Sequence, residues 1–318
     1  MLRRTLPGSD LHLSIVGFGC WAIGGQYWGD DVDDAASIRA IHAALDEGIN
    51  WFDTAPLYGE GHADDVLSRA LKQTSSDCII ATKVGVKFGE QGEHAASHLA
   101  SQWIQQDTEN SLQRLGLDCI DLLQIHWPCD SNTPLSESLD TLDKLRQEGK
   151  IRFYGLCNYE AQAIVDNSHR EGMVSLQTPY SLLRREFEAK LRPAVSGPSP
   201  LGVLAYEPLC RGLLTGKFKS KPTFPDTDLR SRDDRFQGAR FHHARGLVAD
   251  LEKVADRIGV PTAAVAVGWL LAQPALTAAI VGCKNEDQVR QNVQAERVAQ
   301  NEKVVRIIDQ IASIHGGW

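Results

Sequence analysis

A closed (β/α)8 barrel is the fold this sequence predicts, and three observations point to it. Eight short runs rich in apolar and β-branched residues, at 15–18, 49–52, 78–82, 119–125, 151–156, 174–177, 201–206 and 278–281, read as strands. Segments of helical period, such as 35–47, 99–115, 136–148 and 160–169, lie between them, and this alternation implies parallel strands joined by crossovers. "DEGIN", "QEGKI" and "REGMV" each set a glycine after a charged helix end and just before a strand, the signal of a left-handed helix cap. Eight units favour closure over an open sheet. The 318 residues, 42% apolar, suit one large barrel over 1–318 as well as two average domains.

Taken in order, the chain opens with short runs at 2–5 and 11–13 around Pro7, Gly8 and Ser9, a hairpin that would plug the bottom of the barrel. Gly17, Gly19 and Ala22 match the loose form of a dinucleotide-binding fingerprint. Gly24 and Gly25 follow where its helix should begin, so the stretch reads as the first strand and its loop. The next strands end on polar residues: Asp53 after the second, Lys83 after the third in "IIATK", His126 after the fourth in "DLLQIH", and Asn158 after the fifth. Gln177 ends the sixth, Tyr206 the seventh, and Gly282 follows the eighth. Two pieces exceed the eight-unit plan. Residues 218–244 form a polar insertion rich in Arg and Asp, long enough for a lid after the seventh strand, and 261–272 reads as an extra helix.

Composition narrows the function. A net charge of −8 leaves no electrostatic footprint for nucleic acid. No stretch nears the roughly 20 apolar residues of a membrane span, and the start, "MLRRTLPGSD", lacks the apolar region of a signal peptide. Cys20, Cys78, Cys119, Cys129, Cys157, Cys210 and Cys283 are odd in number, scattered and without a C-x-x-C, which suggests free thiols in a reducing cytoplasm. His242 and His243 sit in a polar stretch without other ligand spacing and read as solvated, so no metal site is expected.

In a barrel, polar groups at the C-terminal ends of the strands form the site. Asp53, Lys83 and His126 each have a bland reading alone, but they share one rim with Tyr58, five residues past Asp53. A free phenol, with a pKa of about 10, is a poor acid at neutral pH, and a nearby ammonium would lower that value. A buried Lys83 needs the counter-charge Asp53 can supply. His126 can donate to a substrate oxygen. Together they suit protonation of a carbonyl oxygen while hydride arrives from a cofactor.

At this point the sequence resembles the aldo-keto reductase superfamily, over essentially its whole length. "GINWFDTAPLYG", "IIATK", "DLLQIHWP", "GKIRFYGLCNY", "LQTPYSLL", "LAYEPLCRGLLTGKF" and "AIVGCKNEDQVRQN" follow its pattern in order, and "TFPDTDLRSRDDRFQGARF" is similar to the lid of bacterial members linked to inositol use and general stress. The resemblance implies a TIM barrel with the tetrad Asp53, Tyr58, Lys83 and His126, Tyr58 being the proton donor. It also implies a nicotinamide cofactor, NADP(H) in preference to NAD(H). By the same resemblance Asn158 and Gln177 hold the carboxamide, Tyr206 stacks on the ring, and Trp21 and Asp53 lie beside it. The loop with Glu207, Pro208, Leu209, Arg211, Gly212 and Lys217 covers the pyrophosphate. "GCKNEDQVRQN", from Gly282, opens the last helix; Lys284 and Gln288 match positions near a 2′-phosphate, Gln291 and Asn292 those at adenine. The chain departs from the family at Cys157 and Glu207, each where Ser is common, and at Gln291, where Glu is common.

Trp21, Tyr27, Trp28 and Trp127, with Tyr58 and His126, would wall the substrate pocket. The reading is an NADP(H)-dependent oxidoreductase interconverting aldehydes or ketones and alcohols, cytoplasmic, a monomer or weak homo-oligomer, with no nucleic-acid or membrane partner. The alternatives are a redox-sensing, cofactor-binding regulatory subunit and an NAD-dependent sugar or polyol dehydrogenase.

Overall fold

The computed structural model describes residues 1–25, 28, 32–87, 96–130 and 132–317. Its main sheet consists of β1 (Val16–Gly19), β2 (Trp51–Asp53), β3 (Ile79–Val84), β4 (Ile120–Ile125), β5 (Ile151–Cys157), β6 (Met173–Pro179), β7 (Gly202–Tyr206) and β8 (Leu276–Gly282). Each strand runs parallel to its sequence neighbours, and β8 pairs back onto β1 with Ala279 opposite Val16, closing the barrel. All eight predicted strands are present.

Side chains alternate across each strand, and this period of two explains where the site lies. Phe52, Ile80 and Leu123 point outward into the core under the helices. Trp51, Ala81 and Leu122 point into the barrel, where Leu6, Leu11 and Leu13 of the hairpin (Arg3–Thr5 with His12–Ser14) pack against them. The hairpin thus plugs the barrel as expected, tied down by Arg4 Nη1 and Nη2, which donate to the Leu276 and Leu271 carbonyls at 2.8 and 2.9 Å. Two residues further along the same inward rows stand Asp53, Lys83 and Gln124. Polar side chains therefore replace apolar ones at the C-terminal rim.

Several local readings change. Gly48 and Gly149 are left-handed caps (φ 83° and 74°), but Gly172 is not. A Cβ on Gly172 would meet the Tyr154 ring at 2.5 Å, so packing requires that glycine. The insertion ends at Gln237: two 3-10 turns, Leu229–Ser231 and Asp234–Phe236, lead into the helix Gly238–Ile258. His242 and His243 are therefore helical, the amphipathic helix burying Phe241 and Ala244 and leaving His242 exposed. The extra helix is Thr262–Leu271, buried from Ala263 onward. "GCKNEDQVRQN" opens only the seven-residue helix Glu286–Asn292; Ala295–Ala299 and Glu302–His315 follow, so it does not begin the last helix. The seven cysteines are free thiols. Among the described residues no single helix is long and apolar enough to cross a membrane.

Candidate functional site

At the centre of the rim the Lys83 ammonium uses all three of its N–H bonds. It donates to Asp53 Oδ1 at 2.6 Å, to the Thr54 carbonyl at 2.9 Å and to Tyr58 Oη at 3.1 Å. Lys83 is 1% exposed and Asp53 2%. Burial, the largest influence on Lys83, would lower its pKa, but Asp53 and Tyr58 outweigh it and hold the group charged. Asp53 Oδ2 in turn accepts from Gln177 Nε2 at 2.8 Å.

Tyr58 corrects the expectation of an acidified phenol. Burial is the strongest influence and raises its pKa; Lys83 pulls the other way, and the net result lies above the ordinary phenol range. The hydroxyl therefore stays protonated at neutral pH, with Lys83 placed to offset the charge of a phenolate as it forms. His126 is driven well below its usual value, first by burial and then by Lys83, so its imidazole is neutral. It stacks on Trp127 (centroids 4.3 Å, 13°) and meets Tyr58 edge-on (6.1 Å, 84°). A hydroxyl donor and a neutral imidazole thus face one space, an arrangement suited to polarising and protonating a carbonyl oxygen.

That space is a cavity of about 780 Å³. It is lined by Trp21, Trp28, Asp53, Tyr58, His126, Trp127, Asn158, Gln177, Tyr206 to Leu209, Arg211, Gly212, Lys217, Gly282, Lys284, Gln288, Gln291 and Asn292. Of the residues the sequence nominates, Lys83 lies behind the wall and Tyr27 lies outside the described residues. The amides expected at the nicotinamide are held by the protein: Asn158 Nδ2 donates to the His126 carbonyl at 3.0 Å, and Asn158 Oδ1 accepts from Tyr206 Oη at 2.8 Å. Asn158, Glu207, Cys210 and Arg211 all have positive φ (64°, 52°, 47° and 56°). Such left-handed non-glycine backbone is strained by about 1–3 kcal/mol per residue and clusters at functional sites.

Sequence reasoning missed the lining residues Arg184, Thr215 and Ile280, and the part played by Arg230 and Arg235. Glu207, expected at the cofactor, accepts from Arg211 Nε at 2.7 Å and Arg235 Nη1 at 2.8 Å; Asp233 holds the same two guanidiniums at 2.9 and 2.7 Å. This clasp ties the insertion to the loop after β7. Arg230 stacks on Trp28 and Phe224 (5.2 and 4.4 Å to the ring centroids), and Phe218, Phe224 and Phe236 pack edge to face. Lys217 is pressed down to about 8, by burial first and then by Arg230 and Lys284. Lys284 Nζ donates to the Trp28 carbonyl at 3.0 Å. Lys217, Arg230 and Lys284 share one wall, with Arg230 already paired to the buried Asp228 at 2.5 Å, and in a chain of net charge −8 this basic cluster fits the phosphates of a dinucleotide.

Comparison with known proteins gives the family. The sequence profile of the Aldo/keto reductase family matches residues 15–313. The chain is 36% identical to the aldo-keto reductase YhdN of Bacillus subtilis, covering 91% of this chain and 87% of that one. It is 31% identical to an NADH-specific methylglyoxal reductase of Escherichia coli, over 93% of each, and 30% identical to yakc of Schizosaccharomyces pombe, an aldo-keto reductase named with NADP(+), over 92% and 86%. A glycerol dehydrogenase structure from Gluconobacter oxydans superposes with a TM-score of 0.88 at 38% identity, covering 98% of this chain and 95% of that one. Fold, rim chemistry and a match spanning nearly every residue lead to one conclusion: the chain belongs to the aldo/keto reductase family, NAD(P)H-dependent oxidoreductases built on a TIM barrel.

Proposed function

We propose that the protein interconverts small aldehydes or ketones with their alcohols, that Tyr58 is its general acid and base, and that NADP(H) is its preferred cofactor. The observation that carries the reading is the threefold anchoring of Lys83, which sets Tyr58 Oη on the cavity floor beside a neutral His126. A nicotinamide held there would supply or accept the hydride. Tyr58 Oη donates a proton to the carbonyl oxygen and recovers it in the reverse direction. Lys83 stabilises the transient phenolate, Asp53 keeps Lys83 charged, and His126 orients the oxygen.

The residues present fit the cofactor. Asn158, Gln177 and Tyr206 would hold the nicotinamide end, with Trp21 and Asp53 beside it. Pro208, Leu209, Arg211, Gly212 and Lys217 would flank the phosphates, and Gly282, Lys284, Gln288, Gln291 and Asn292 the adenosine end. The preference for NADP(H) rests on Lys284, which stands near Lys217 at the adenosine end, where a 2′-phosphate would give its ammonium an anionic partner. Trp21, Trp28 and Trp127, the first two packed edge to face, give the substrate side an aromatic wall suited to a small, uncharged carbonyl. We read residues 1–318 as one domain serving this site, working in the cytoplasm as a monomer or weak homo-oligomer.

The test is a panel of aldehydes, ketones and alcohols run with both cofactors on the wild type and Tyr58→Phe. The variant should bind cofactor nearly normally and lose about 10²–10⁴ in rate. Wild-type turnover by the variant, or cofactor binding by the wild type without turnover of any substrate, would overturn the proposal.

A further inference from the structure

Behind the catalytic lysine, out of reach of the cavity, lies a second acid. Asp64, at the start of the helix His62–Leu71, is fully buried. It accepts from Thr54 Oγ1 at 2.6 Å and from Arg114 Nε at 3.1 Å. Burial, the largest influence, raises its pKa against both partners. A buried carboxylate outside the tetrad is an unfavourable thing to keep in a core unless it holds something in place.

What it touches is Thr54, and Thr54 is held at three points. Its N–H donates to the Ala81 carbonyl at 2.9 Å, its hydroxyl donates to Asp64, and its own carbonyl accepts from Lys83 Nζ at 2.9 Å. Resting on the function proposed above, we infer that Asp64 is a positioning residue: through Thr54 it fixes the peptide plane whose carbonyl helps to aim the Lys83 ammonium at Tyr58 Oη. With the Asp53 carboxylate and this carbonyl both fixed, the ammonium has one place to sit and its third N–H reaches the phenol. If the hydroxyl anchor is removed, the peptide plane can tilt. The ammonium then settles toward Asp53, its strongest partner, and away from Tyr58. Arg114 Nε holds the other carboxylate oxygen and offsets part of the cost of burying it.

The experiment compares Thr54→Val, which keeps the shape and removes the hydroxyl, Thr54→Ser, which restores it, and Asp64→Asn. Lysine-labelled protein is followed by ¹⁵N NMR, with the Lys83 ammonium resonance assigned by its loss in Lys83→Met. In the wild type that resonance should be protected from solvent exchange. Thr54→Val and Asp64→Asn should shift it and speed its exchange, and Thr54→Ser should return it. Turnover should fall about tenfold in Thr54→Val and Asp64→Asn, a small misplacement of a catalytic group being enough. Cofactor affinity should be unchanged, and the limb over which alcohol oxidation rises with pH should move further to the alkaline side, because a phenol less well served by Lys83 ionises less readily. A Thr54→Val protein that is folded, with the Lys83 resonance and the pH limb both unmoved, overturns the inference, as does a serine variant as impaired as the valine one. If Asp64→Asn does not fold, the threonine pair decides alone. Should the wild type turn over no carbonyl, the proposed function fails while the NMR comparison still tests the wiring.

Discussion

Replacing Glu207 by Gln separates two roles that one residue can be given at this site. The wild-type carboxylate accepts from Arg211 and Arg235 at 2.7 and 2.8 Å, with side chains only 10%, 23% and 13% exposed. Burial is the largest influence on Glu207 and raises its pKa, yet the two arginines outweigh it and hold the net value below the usual carboxylate range. Each charged hydrogen bond contributes about 1.5–3 kcal/mol. The amide keeps one acceptor oxygen, and Asp233 still holds both guanidiniums, so the net loss should be about 2 kcal/mol. Unfolding 318 residues carries an entropy of about 0.7 kcal/mol/K, which makes the midpoint fall by about 3 °C. A carboxylate with a depressed folded pKa contributes stability above its unfolded value, near pH 4.3, and loses it as pH falls through the folded value. The difference between the proteins should therefore be full at pH 7 and fade on acidification below about pH 4. Dinucleotide binding should move the other way. With one negative charge fewer beside the phosphate cradle, NADPH should bind about fivefold tighter, roughly 1 kcal/mol after solvent screening. Thermal melts by circular dichroism and titration of NADPH fluorescence read both effects. An unchanged melting point would refute the clasp, and weaker NADPH binding would show that Glu207 contacts the cofactor itself.

Three further outcomes are expected. Lys284→Ala should weaken NADPH binding about tenfold and hardly touch NADH, the low end for a charged hydrogen bond because Lys284 must first leave the Trp28 carbonyl; equal losses would remove it as the reader of the 2′-phosphate. Because Lys217 titrates at about 8, NADPH affinity should fall between pH 7 and 9, and in Lys217→Met that slope should flatten; a slope unaltered by the substitution counts against Lys217 as a phosphate partner. Asp107 is raised to about 6 by burial, partly offset by the Gly85 N–H it accepts at 3.1 Å and by Arg114. The folded state thus binds a proton more tightly than the unfolded state, and ionisation removes stability as pH rises from about 4 through 6. Asp107→Asn should gain up to about 3 kcal/mol on the wild type across that window in urea titrations, and a pH-independent difference would contradict it.

The sequence by itself determined the barrel and which polar residues stand at its C-terminal rim. Strands of β-branched and aromatic residues, helix caps and crossover spacing are local features, and period-two alternation carries Trp51 to Asp53 and Ala81 to Lys83 along one inward row. Once the eight strands close, residues at their C-terminal ends must share a rim, which is why Asp53, Tyr58, Lys83, His126, Asn158, Gln177 and Tyr206 were legible before any coordinates. Boundaries read from polarity were weaker. The insertion looked continuous to Ala244, because the exposed face of the helix from Gly238 is as polar as a loop. Only the tertiary structure decided the energetics. Whether Tyr58 is more or less acidic than a free phenol depends on how much water the closed barrel excludes, a property of every wall at once. That Glu207 serves two arginines depends on Arg235 arriving from 28 residues away, and that Asp64 reaches Lys83 through Thr54 depends on a helix docking against a strand end. Such contacts join groups whose separation along the chain has no period, and desolvation acts through the whole packed surround, so no local pattern records either.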